Sequence, residues 1–202
     1  MQGDNNPIQI LVVEDNPGDL FLLQEVLQST DLSIAAVFDA GTLGEAKRVL
    51  ADKPIDLVFL DINLPDSFGL ESYTRLQALT QRAAVILLTG INDTKLALQA
   101  LVLGAQDYLI KGEFDEKLLS RAIRYSLERL RSLQHLRESE ERYRDLFNNN
   151  PMPMWVIDAK TLLFLEANSA AIQHYGYSYE EFLGRGLHDI RPAGGRDSWR
   201  KR

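Results

Sequence analysis

The stretch ILVVEDNP at residues 10–17 joins an apolar run directly to two carboxylates and a helix start. Extended back to Ile8, the run is too short for a helix and rich in β-branched residues, as in a strand buried on both faces. Asn16 is a favoured N-cap, and Pro17 suits the first helical position because its missing N–H costs nothing there. This stretch therefore predicts a buried strand, a polar strand end and a helix that follows at once.

The same alternation of strand and helix continues through the first half of the chain. The predicted strands are residues 8–13, 33–38, 55–60, 83–88 and 105–110, and the helices between them begin near residues 17, 42, 70 and 94. Thr42 has capping-box spacing with Glu45, and Asn92 is a candidate cap for the helix at 94–103. Such alternation implies right-handed crossovers and an α/β fold, with a parallel sheet covered by helices on both faces.

Polar residues directly follow four of the predicted strands. They are Glu14, Asp15, Asp61, Thr89 and Lys111. The carboxyl ends of parallel strands lie at one edge of a sheet, where open α/β sheets bind their ligands. The sequence therefore predicts that these side chains form one cluster.

The composition of this cluster favours phosphoryl chemistry. Three neighbouring carboxylates repel one another, and a divalent cation holds them ionised. Oxygen-only ligands favour Mg²⁺ over zinc or copper. A carboxylate beside Mg²⁺, a lysine and a hydroxyl has the parts needed to accept a phosphoryl group as an acyl phosphate.

Four motifs in order carry a family resemblance: ILVVEDN (10–16), LVFLDINLPDSFGLE (57–71), ILLTG (86–90) and GAQDYLIKG (104–112). Through them, residues 8–125 resemble the CheY-like receiver domain of two-component response regulators. The resemblance implies a flavodoxin-like five-stranded sheet of order 2-1-3-4-5. It also implies a signalling domain that is not an enzyme beyond slow self-dephosphorylation, and whose phosphoryl donor is a histidine kinase or a phosphotransfer protein.

The resemblance further assigns the site residue by residue. Asp61 would be the phosphoacceptor. Asp15 and Asp61 would bind Mg²⁺ directly, Glu14 through a metal-bound water, and Asn63 through its backbone carbonyl.

The remaining assignments concern switching and phosphate lifetime. Thr89 and Tyr108 would form the switch, and Lys111 would pair with the phosphoryl group. Asn63 and Ile91 would tune dephosphorylation by admitting or excluding water.

One alternative stays open for residues 8–125, and the chain lacks a residue that the chemistry of one rival family needs. A degenerate receiver would keep the fold and act as an unphosphorylated dimerisation or interaction module. A haloacid-dehalogenase phosphatase also uses a strand-end aspartate, but it needs a second carboxylate two residues on, where this chain has Asn63. One departure from many receivers is Gly112, which stands where they carry a proline after the lysine.

A long charged helix is predicted to leave this domain. A near-heptad series runs through Leu119, Ile123, Ser126, Leu130 and Leu133, which suggests a coiled coil with a second chain and a homodimer through residues 115–147. The alternative is a single amphipathic helix that is packed on its own domain or solvated.

The last part of the chain resembles the first half of a PAS domain. Strands are expected at 154–158 and 162–167, with helices near 168–175 and 179–183. The expected organisation is a receiver at 1–125, a signalling helix at 113–147 that overlaps it, and an incomplete PAS-like segment at 148–202.

Charge and composition exclude several function classes. The net charge of −7 divides into −8 over residues 1–112, zero over 113–147 and +1 over 148–202, so the acidity belongs to the first segment. This argues against nucleic-acid binding, which depends on basic residues. The absence of cysteine excludes thiolate zinc sites, iron–sulfur clusters and a cysteinyl-flavin photosensor. No apolar run approaches the roughly 20 residues of a spanning helix, so a cytoplasmic protein without membrane contact is expected.

Overall fold

The computed structural model describes residues 7–80, 82–90 and 93–190. Its strands are β1 (Ile8–Val13), β2 (Ile34–Ala40), β3 (Leu57–Asp61), β4 (Asn63–Leu64), β5 (Ser67–Phe68), β6 (Ala84–Thr89), β7 (Asp107–Ile110), β8 (Trp155–Ile157) and β9 (Phe164–Ala167). Its helices are α1 (Pro17–Ser29), α2 (Leu43–Asp52), α3 (Leu70–Gln77), α4 (Thr94–Val102), α5 (Glu116–Asn148), α6 (Ser169–Tyr175) and α7 (Tyr179–Leu183).

Five strands form one parallel sheet in the order β2-β1-β3-β6-β7. Since β4 and β5 form a separate small hairpin, this is the predicted order 2-1-3-4-5. Alternate β1 residues enter two cores: Leu11 and Val13 pack on the side of α2, α3 and α4, while Ile10 and Val12 pack on the side of α1 and α5. The flavodoxin-like fold and the double burial of β1 are confirmed.

The first two helices begin where the local sequence predicts. The Asn16 side chain accepts hydrogen bonds from the N–H groups of Gly18 (2.9 Å) and Asp19 (3.4 Å), and α1 starts at Pro17. At α2, Thr42 Oγ1 accepts from the Glu45 N–H at 3.1 Å. The start of α4 follows Asp93, and the predicted cap Asn92 lies outside the described residues.

Helix α5 is long, as predicted, but its first half packs against the sheet of its own domain. Leu119 and Ile123 are fully buried in the core beneath the sheet, Ser126 is buried, and Leu130 packs against the same core. The prediction that these residues form a seam with a second chain is therefore wrong, and the alternative of packing on its own domain holds for them. Further along, Leu136 is 57% exposed.

A second compact unit begins at His135 and contains the end of α5. Its strands β8 and β9 pair antiparallel, and Trp155, Phe164 and Phe182 form a small aromatic core with edge-to-face contacts. The two strands and two helices expected from the PAS resemblance are present. Among the described residues, no helix is both long and apolar enough to span a bilayer.

Candidate functional site

The parallel sheet brings the predicted site residues to one edge. Asp61 is the last residue of β3 and pairs with Leu88, so Thr89 lies one residue beyond it at the end of the adjacent β6. The backbone N–H of Lys111 donates to the Thr89 carbonyl at 2.9 Å, which fixes the end of β7 beside β6. Glu14 follows β1 directly.

Three carboxylates form the centre of this edge. One oxygen each from Glu14, Asp15 and Asp61 lies within 4.8 Å of the others. Glu14 and Asp61 are buried and Asp15 is exposed. A set of hard oxygen donors with one side open to solvent is suited to Mg²⁺.

Lys111 provides the positive charge at the site. Its Nζ lies 2.6 Å from Glu14 Oε2, 2.7 Å from Asp61 Oδ2 and 3.0 Å from Asp19 Oδ2. Burial lowers the pKa of Lys111, but the close contacts with these three carboxylates outweigh burial and raise the pKa above its ordinary value. The lysine is therefore a permanent cation here.

The surroundings of Glu14 disfavour its charged form. Burial is the main cause that raises its pKa above the ordinary value, and the negative charge of Asp61 adds to it. The close contact with Lys111 and the Asn16 N–H, 3.1 Å from Glu14 Oε1, act in the opposite direction. Because one ammonium leaves Glu14 with a raised pKa, the donor set fits an additional cation.

Thr89 has the position expected of a hydroxyl that serves a ligand. Its side chain is fully buried, and Oγ1 has no hydrogen-bond partner among the described residues. Tyr108 lies on β7 opposite Leu87 and packs, half-buried, against the core. Ile91, predicted to tune dephosphorylation, lies outside the described residues.

Asn63 links the phosphoacceptor candidate to a neighbouring loop. Its backbone N–H donates to Asp61 Oδ1 at 2.9 Å, and its side-chain Nδ2 donates to Asp93 Oδ2 at 2.9 Å. Asp93 stands at the N-cap of α4, but within the described part of the chain its side chain makes no capping hydrogen bond. Among the described residues, the Asp93 carboxylate therefore accepts a hydrogen bond from Asn63 and does not cap α4.

Sequence reasoning missed two members of the site, Asp19 and Asp93. The position of Asp19 in the first turn of a helix that starts at the site could have indicated it. Asp93 carries no such signal, because only the folded loops bring it to Asn63. Gly112 also differs from a proline at that position, because its φ of +77° lies in the left-handed region.

Comparisons with known proteins agree with this fold. The family model for the response regulator receiver domain matches residues 10–124, and that for the PAS domain matches residues 141–201. The chain belongs to the response regulator receiver domain family. Receiver domains are signalling domains and not classical enzymes, bind Mg²⁺ in an acidic pocket, and interact with histidine kinases or phosphotransfer proteins.

Three relatives illustrate the likeness. Transcriptional regulatory protein AruR of Pseudomonas aeruginosa is 36% identical over 119 residues, 56% of this chain and 47% of that protein. The signal receiver domain of an HD domain-containing protein from Pseudomonas fluorescens Pf-5 has a TM-score of 0.56 and 30% identity, covering 64% of this chain and 93% of that chain. The receiver domain of sensor histidine kinase PA1611 from Pseudomonas aeruginosa PAO1 has a TM-score of 0.51 and 26% identity, covering 60% and 98%.

The crystal structure of the PA1611 receiver domain has a magnesium ion coordinated in its active site cleft. The present chain spans about half the length of AruR. AruR is named a transcriptional regulator, so the absence of nucleic-acid contact stays a prediction for this chain.

Proposed function

We propose that Asp61 accepts a phosphoryl group from the phosphohistidine of a kinase or phosphotransfer protein. An Asp61 carboxylate oxygen attacks phosphorus, the P–N bond breaks, and its electron pair leaves with the imidazole as the P–O bond forms. The single observation that carries this proposal is the placement of Asp61 at a strand end, between the Lys111 ammonium and the Asn63 N–H. These two contacts fix the position of the carboxylate at the strand end.

Four residues would hold Mg²⁺. Asp15 and Asp61 supply carboxylate oxygens, Glu14 acts through a bound water, and Asn63 contributes its backbone carbonyl. When bound, Mg²⁺ neutralises charge on the transferring phosphoryl oxygens. The proximity of the three carboxylates and the raised pKa of Glu14 support this set.

The remaining site residues respond to the phosphoryl group. Lys111 pairs with one of its oxygens, and the Thr89 hydroxyl donates a hydrogen bond to another. Tyr108, half-buried beside β6, then turns inward behind Thr89 and reports the change to the surface. Asn63 and Ile91 set the access of water to the acyl phosphate.

The test is phosphorylation of the full chain with acetyl phosphate and Mg²⁺. We expect an acid-stable, base-labile phosphoprotein that Asp61→Asn abolishes and that Asp52→Asn, an exposed aspartate at the end of α2, leaves unchanged. If the wild-type chain forms no such phosphoprotein and binds no Mg²⁺, the chain is an unphosphorylated interaction module.

The output is proposed to run through α5 to the PAS segment and a second copy of the chain. Since the first half of α5 is buried on its own domain, a homodimer would use the exposed Leu136 and Leu146 of its second half. Leu136→Glu should reduce self-association in sedimentation, whereas Glu138→Gln, at an exposed position about 200° round the helix, should not. If the wild-type chain sediments as a monomer at all concentrations, the homodimer proposal is wrong.

A further inference from the structure

The ammonium of Lys111 has three partners, and only two belong to the proposed metal site. Its Nζ lies 2.6, 2.7 and 3.0 Å from oxygens of Glu14, Asp61 and Asp19. The contacts with Asp61 and Asp19 are hydrogen bonds, whereas Glu14 Oε2 is close to the ammonium as an ion pair but has no hydrogen-bond partner among the described residues. In the described part of the chain, Asp19 is not among the carboxylates that lie within reach of a common ion. It lies in the first turn of α1, and its side chain is 34% exposed.

A cation at this site competes with Lys111. The ammonium contacts Glu14 Oε2 and Asp61 Oδ2, and both carboxylates are proposed to serve Mg²⁺. A cation that binds these two carboxylates weakens their interaction with the lysine. Asp19 is then the partner that remains.

The backbone of Asp19 is held in place before any ligand binds. Asn16 accepts hydrogen bonds from the N–H groups of Gly18 and Asp19, and Pro17 restricts the backbone at the first helical position. A carboxylate in the first turn of a helix is also stabilised by the helix dipole. Asp19 therefore offers Lys111 a fixed anchor on α1.

We propose that Asp19 is a positioning residue that keeps Lys111 at the site when the carboxylates of Glu14 and Asp61 bind a cation. This inference rests on the proposed function. Without Asp19, the lysine has only Glu14 and Asp61, so it competes harder with Mg²⁺. Once displaced, it loses the contact that keeps it within reach of the phosphoryl group.

The test is calorimetric titration of the full chain with Mg²⁺ alone. Asp19→Asn should weaken Mg²⁺ binding by about two- to fivefold, the scale of one partly exposed ion pair. Asp31→Asn removes one negative charge from an exposed ion pair with Arg124 and should leave binding unchanged. It therefore controls for net charge.

A double-mutant cycle separates anchoring from simple attraction of the ion by a carboxylate. In a Lys111→Met background, Asp19→Asn should no longer change Mg²⁺ affinity, because the lysine through which it acts is gone. The same weakening with and without Lys111 would mean that Asp19 acts on the ion directly, which overturns the proposal. If Lys111→Met does not fold by circular dichroism, Lys111→Gln provides the same background.

The outcomes distinguish this inference from the function on which it rests. Normal Mg²⁺ affinity in Asp19→Asn overturns the anchoring role alone. A wild-type chain that binds no Mg²⁺ overturns the metal site together with this inference. The conservative Asp19→Glu should restore part of the affinity, which a purely structural role of Asp19 in α1 would not require.

Discussion

At the scale of single residues, the buried hydroxyl of Thr89 is expected to lower the stability of the folded protein. Its hydroxyl is fully buried and has no hydrogen-bond partner among the described residues. A buried hydroxyl without a partner costs about 1–3 kcal/mol. Packing does not require a hydroxyl at the end of a buried strand, and the proposed hydrogen bond to the phosphoryl group would give this hydroxyl a partner.

Replacing Thr89 by Val should therefore stabilise the unphosphorylated protein. Valine keeps the branched shape and removes the hydroxyl, so the free energy of unfolding should rise by about 1 kcal/mol in urea titrations. Thr80→Val is the matched control, because Thr80 Oγ1 donates to the Gln77 carbonyl at 3.3 Å and should lose stability instead. A fall in stability for Thr89→Val would mean that the hydroxyl already has a partner.

At the scale of elements, α2 is capped from two directions. Thr42 caps it locally, while Asp66 reaches it from the loop after β4. Asp66 Oδ1 accepts from the Leu43 N–H at 2.9 Å and Oδ2 from the Gly44 N–H at 3.0 Å. The hydrogen bond from Leu43 is the main cause that lowers the pKa of Asp66 below its ordinary value of 3.8.

The contribution of Asp66 should depend on pH in a defined direction. Because its pKa is lowered by folding, the stabilisation is present above pH 3.8 and is lost as the pH falls through the lower folded-state value. Asp66→Ala should reduce the free energy of unfolding at pH 7 by about 1 kcal/mol. Asp66→Asn keeps a neutral acceptor and should lose less.

Urea unfolding followed by far-UV ellipticity, repeated from pH 7 to acid, measures both effects. In both Asp66 variants the free energy of unfolding should fall less steeply as the pH is lowered into the acid range, whereas in the exposed Asp52→Asn variant it should fall as in the wild type. An unchanged acid limb in Asp66→Ala would show that the capping carboxylate contributes nothing to folding.

The elements that the sequence predicts are those whose causes are local. Asn16 and Pro17 define the start of α1 within a few residues, and the strand-end residues share an edge because parallel strands do. The roles of Asp66 and Asp93 depend on partners that are distant along the chain, so their spacing in the sequence does not indicate them. Asp19 also pairs with a distant residue, but its position in the first turn of a helix that starts at the site could have indicated it. The prediction of an α5 seam is wrong for Leu119, Ile123 and Ser126, since burial against a domain's own sheet and burial against a second chain give nearly the same periodicity.

At the scale of the whole molecule, the chain divides into two compact units between Gln134 and His135. In the second unit, Asn168 is a fully buried centre of hydrogen bonds. Its Nδ2 donates to the carbonyls of Phe147, Asn150 and Met152, and its Oδ1 accepts from the N–H groups of Met154 and Ala171. One side chain thus ties the end of α5 to the start of α6.

Asn168→Ala should destabilise the second unit and leave the receiver unchanged. Removing the amide leaves several buried backbone groups without partners, at about 3 kcal/mol or more in total. Trp155 packs in the aromatic core of the second unit, and no tryptophan of the chain precedes residue 135, so tryptophan fluorescence reports the unfolding of the second unit. The midpoint in urea should fall, while hydrogen exchange in β1 and β3 stays as in the wild type.

Asn149→Ala is the control, because Asn149 is exposed and belongs to the same segment after α5 as Asn150, whose carbonyl accepts from Asn168. It should shift the stability reported by tryptophan fluorescence by less than about 0.5 kcal/mol. If Asn168→Ala instead accelerates hydrogen exchange in the receiver strands as much as in β8 and β9, the two units unfold as one, and the division at residue 134 has no energetic meaning. If the tryptophan midpoint does not move, the hydrogen bonds of Asn168 do not hold the second unit together.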